Sequence, residues 1–71
     1  MWTILYIAPN QTVANKIKDF MEAEGILVRL RPIGLRSKES YTNYEIQVTE
    51  VELEEAQEVL NQALQVRQYR E

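Results

Sequence analysis

Residues 1–32 read MWTILYIAPNQTVANKIKDFMEAEGILVRLRP, and this stretch decides the fold. The first eight residues are apolar apart from Thr3, so Trp2–Ala8 reads as a strand with apolar side chains on both sides. Pro9 and Asn10 break it. Val13, Ala14, Ile17, Phe20 and Met21 then recur at the spacing of one helix face, which predicts a helix over residues 12–24. Asn10 stands at the N-cap, where a side-chain oxygen meets a free amide of the first turn. Gly25 stands where a left-handed stop residue is expected, with Ile26 placed to touch Met21 as in a Schellman motif. Residues 26–31 alternate, Ile26, Val28 and Leu30 against Leu27, Arg29 and Arg31, and Pro32 is expected to end that strand. The order is β-α-β.

Working outward, residues 33–43 are rich in Gly, Ser, Thr and charge and read as a mobile loop. Residues 44–48 alternate again, Tyr44, Ile46 and Val48 against Glu45 and Gln47. A second helix then starts on a capping box, Thr49 as N-cap and Glu52 three residues on, with Val48 and Leu53 as a hydrophobic staple. Its buried stripe is Leu53, Ala56, Leu60, Ala63 and Leu64, flanked by Val59. Acidic residues crowd its start and Arg67 and Arg70 its end, which suits the helix dipole.

A right-handed crossover from the first strand to the second leaves room for the third between them. The expected fold is α+β, a single domain over residues 1–71. It is a β-α-β-β-α half ferredoxin-like plait, with a three-stranded antiparallel sheet in the order 1-3-2 and two helices on one face. Two features follow. The first strand keeps an open edge where a fourth strand would pair, and open edges invite another chain. The second sheet face has no helix over it. If Leu5 and Ile7 face the helices, that face carries Trp2, Ile4, Tyr6, Leu27, Arg29 and Arg31 beside Glu45 and Gln47. If Trp2, Ile4 and Tyr6 point inward instead, Leu5 and Ile7 point out.

Composition narrows the function. With no cysteine and no histidine, the chain lacks thiolate chemistry, disulfides and the commonest general base and transition-metal ligand. The net charge of −3 disfavours unspecific nucleic-acid binding. The third strand, with one ring and a Glu, lacks the aromatic run of RNA-binding sheets. The short apolar N-terminal run, with no basic residues before it, fits neither a secretory signal nor a membrane span, so a cytoplasmic protein is expected. Glu50, Glu52, Glu54, Glu55 and Glu58 read as a solvated helix start rather than a metal site, because helical spacing spreads them around the axis. Scattered Tyr and Lys residues, no phosphate-binding glycine loop and little room for a pocket argue against an enzyme. No cofactor is expected.

The favoured reading is a regulatory or accessory protein that binds another protein, most simply as a homodimer. Contact would be through the open sheet face or the first strand's edge. The alternative is a sensor of small anions or nucleotides, using the 33–43 loop. Arg36, Ser37, Lys38 and Tyr41 would act there with Arg29 and Arg31.

The opening stretch, above all Tyr6-Ile7-Ala8-Pro9-Asn10 and Gly25-Ile26-Leu27-Val28, and the later YEIQVTEVELEEAQEVL resemble a group of small uncharacterised proteins, mainly of Firmicutes. Some carry a glutamate decarboxylase label. They are also similar to a prokaryotic signal-transducing domain family likened to PII. The resemblance implies a PII-like placement of the 33–43 segment between the second and third strands, and a part in signal transduction. PII proteins bind nucleotides between subunits with a four-stranded plait, and the fourth strand has no counterpart here. The decarboxylase label conflicts with the residues. That chemistry needs pyridoxal phosphate on a lysine inside a large fold, and the three lysines, Lys16, Lys18 and Lys38, all lie in polar surroundings.

Overall fold

Asn10 caps the first helix: its Oδ1 accepts the Val13 amide at 2.9 Å. Helix α1 follows over Gln11–Ala23. At its other end Gly25 takes φ +84°. The Ile26 N–H then donates to the Met21 carbonyl and the Gly25 N–H to that of Glu22, both at 3.0 Å. These are the two bonds of a Schellman stop. The computed structural model describes residues 1–37 and 40–69, with the backbone alone at 35–37, 40–42 and 65–69. Strand β1 (Trp2–Ala8) precedes α1. Strands β2 (Val28–Ser37) and β3 (Ser40–Thr49), a 3-10 turn (Glu50–Glu52) and helix α2 (Leu53–Tyr69) follow it.

The three strands form one antiparallel sheet in the order β1-β3-β2. Ile46 and Val48 of the central strand are fully buried, and Ala14, Ile17 and Met21 of α1 join Ala56, Val59 and Leu60 of α2 in the same cluster. The helices therefore cover one sheet face and leave the other bare. This is the half ferredoxin-like plait expected. Among the described residues no helix is long and apolar enough to cross a membrane.

Three details depart from the sequence reading. The first is the segment 33–43, expected as a loop. Most of it continues the sheet, with Ile33 paired to Asn43, Leu35 to Tyr41 and Ser37 to Ser40. Pro32 lies inside β2, opposite Tyr44, and does not end it. The reason is position. β2 is an edge strand, so a missing N–H on its outer side breaks no ladder bond.

The second departure is a β-bulge in β1. The register runs Ile4 to Gln47 and then Tyr6 to Ile46, so Leu5 is an extra residue. An extra residue reverses which face the following side chains occupy. The strict alternation expected for β1 therefore holds only as far as Ile4.

The third is the start of α2. A 3-10 turn precedes the helix, and the Thr49 side chain makes no cap bond. The Glu50 N–H is taken by the Met1 carbonyl at 2.9 Å, which ties this turn to β1. Glu52 still reaches back, but to other donors. Its Oε1 accepts the Thr49 hydroxyl at 3.5 Å and the Leu27 N–H at 3.4 Å. The Arg67 side chain and Arg70 lie outside the described residues.

Candidate functional site

Directly opposed residues of antiparallel strands share a face, so the register assigns the bare side of the sheet. Thr3, Tyr6 and Ala8 oppose Val48, Ile46 and Tyr44, which pack toward the helices. Trp2, Ile4 and Ile7 oppose Thr49, Gln47 and Glu45 on the bare side. From β2, Arg29 opposes Gln47 and Arg31 opposes Glu45. Leu27, between buried Ile26 and Val28, points away from the core.

On that face the polar side chains form one connected row. The Arg29 guanidinium sits 4.5 Å over the centroid of the Trp2 ring. Its Nε–H donates to Gln47 Oε1 at 3.0 Å. Gln47 Nε2 donates to Glu45 Oε1 at 2.9 Å. Arg31 Nη1 closes the row 3.6 Å from the same Glu45 oxygen. Glu45 and Gln47 are only 8% and 7% exposed although no helix covers them, because neighbouring side chains on the flanking strands shield the central one. Among the described residues no buried side-chain polar atom lacks a partner. The outer Arg31 pair is largely solvated, so its share of stability is small, about 1 kcal/mol at most.

Beside this row lie the apolar side chains. Ile4 and Ile7 are each 48% exposed and Leu27 is 58% exposed. The face is thus a satisfied polar ladder flanked by large aliphatic groups in water, a mixture found at interfaces. Ile4 and Ile7 belong to β1, whose outer edge pairs with no strand among the described residues.

The structure brings Trp2, Ile4, Leu27, Arg29 and Arg31 to this side, as the first sequence alternative has it. Tyr6 is a correction. The bulge turns it under the helices, where it packs against the core, and Ile7 takes the place expected of it. Arg36 and Ser37 lie in β2 and Tyr41 in β3, away from the Trp2 row; their side chains are outside the described residues, as is Lys38. An outward Ile7 belongs to the second sequence alternative and an outward Trp2 and Ile4 to the first; neither contains the bulge, because every position from Ile4 to Ala8 is apolar and no pattern in the sequence marks the extra residue.

Glu54, Glu55 and Glu58 line the outer side of α2 with Gln57 and Asn61. Among the described residues no group of three His, Cys, Asp or Glu side chains is arranged to hold a metal ion. No family model, curated protein or solved structure matches the chain. The reading of the site therefore rests on its own geometry.

Proposed function

We propose that the chain acts by binding another protein through the bare face of its sheet, with a second copy as the simplest partner. The observation that carries this reading is the exposure of Ile4, Ile7 and Leu27 around an ordered polar row. Burying such side chains gains roughly 25 cal/mol per Å² of apolar area. The polar row would need no rearrangement, since its groups already satisfy one another. The resemblance of the opening stretch to PII-like signal-transducing domains fits a regulatory or accessory role for such a contact. The glutamate decarboxylase label has no support in these residues.

Anion sensing has less behind it. Arg29 is engaged by Trp2 and Gln47, and Arg31 by Glu45, so neither guanidinium stands free to grip an anion.

The test is sedimentation velocity across a wide concentration range, on wild type and on Ile4→Asp/Ile7→Asp. A wild-type dimer and a folded monomeric double variant support the reading. A wild type that stays monomeric at millimolar concentration removes the homodimer, and an unchanged dimer in the double variant moves the contact off this face.

A further inference from the structure

On the opposite side of the molecule, α1, α2 and β1 line a groove of about 480 Å³. That size falls within the range of small-molecule sites. Val13, Ile17 and Phe20 of α1 form one wall, and Ala63 and Leu64 of α2 the other. The floor is Tyr6, the residue that the β1 bulge turns inward. Lys16 stands at the rim.

Two polar groups break the apolar lining, and both are unengaged among the described residues. Lys18 is paired with Glu22 at 3.2 Å, whereas Lys16 has no carboxylate partner. The Tyr6 hydroxyl has no hydrogen-bond partner among the described residues, and since no buried polar side-chain atom there is unsatisfied it keeps some exposure to solvent. Among the described residues the trough offers one ammonium and one phenolic O–H, which suits a ligand with an apolar body and an anionic head. The Lys16 ammonium is the charge complement of a carboxylate at the rim, the Tyr6 hydroxyl is a second donor on the floor, and the aliphatic body would replace water against Val13, Phe20 and Leu64.

We infer that this groove binds a small monocarboxylate with an aliphatic body. The inference is independent of the sheet-face contact, because the two sites lie on opposite sides of the sheet.

The probe is octanoate, with 1-octanol as the uncharged control, each titrated into the full chain and followed by amide NMR. Saturable shifts are expected for octanoate at the α1 and α2 amides that line the groove. Lys16→Gln should weaken octanoate by about threefold or more, the worth of one exposed charge contact, and leave 1-octanol unchanged. Ala63→Phe fills the groove and should abolish both responses. Lys16 is exposed, so its substitution leaves the fold intact and decides the matter even if Ala63→Phe fails to fold. Absence of saturable shifts overturns the site. Equal affinity for octanoate and 1-octanol overturns the carboxylate. Shifts confined to the sheet face place the probe elsewhere and also overturn the inference.

Discussion

Arg29 and Trp2 lie on opposite edge strands, yet the guanidinium stacks 4.5 Å over the indole ring. The pair bridges the central strand from above and helps shield Gln47, whose Oε1 accepts the Arg29 Nε–H. A face without helices thus acquires a cover made from its own edge strands.

This bridge should be measurable as a coupling. In a double-mutant cycle on Trp2→Leu and Arg29→Ala, the coupling energy is expected at about 0.5–1 kcal/mol, the range of a partly exposed cation–π contact. Urea unfolding followed by circular dichroism gives the number, since Trp2 is the only tryptophan and cannot serve as its own probe. A coupling within error of zero would show that the stacking is incidental.

The β1 bulge makes opposite predictions for adjacent residues. Ile7→Asp places a charge in water and should cost under about 1 kcal/mol. Tyr6→Asp removes a ring packed against the core and places a charge on the half-buried floor between the helices, a loss of about 2 kcal/mol or more. Thermal unfolding of the two variants decides it. Had the strict alternation been right, with Tyr6 outside, the two costs would be reversed.

These cases show what the sequence could and could not reveal. Asn10, Gly25 and the helical stripes act within a few residues, so their patterns are sufficient, and the 1-3-2 order is reached because the crossover from β1 to β2 leaves room for β3 between them. The bulge was not legible because β1 is apolar on both faces, and a register is marked only where one face differs from the other. Pro32 misled for a related reason. Its meaning depends on whether β2 is an edge or a central strand, a fact of the whole sheet. Most of the candidate site was recovered because Arg29, Arg31, Glu45 and Gln47 alternate with residues that are plainly core.

The helix stops offer a local check. Gly25 holds φ +84° with nothing within 4 Å of where a Cβ would sit. Gly25→Ala should therefore cost only the left-handed backbone penalty, about 1–2 kcal/mol. Asn10→Ala should cost about 1 kcal/mol by removing the acceptor of the Val13 amide. The sites lie at opposite ends of α1, so their costs should add in denaturant melts. A double variant markedly less stable than the sum would mean that α1 unravels as a unit.

Pro32 guards the outer edge of β2, where an unpaired row of amides would template another chain. Pro32→Thr keeps a residue suited to strands and restores a donor. The folded monomer should hold, or gain slightly from the better strand former, but the edge becomes competent to pair. The expected outcome is faster aggregation on agitation at neutral pH, read by light scattering, with the melting temperature close to that of wild type. The same change made together with Arg31→Ala should aggregate faster still, because charged side chains such as Arg31 and Arg29 on that strand are a further deterrent. If both variants stay as dispersed as wild type, the β2 edge is protected by something other than Pro32 and Arg31, and the β1 edge becomes the one to examine for chain pairing.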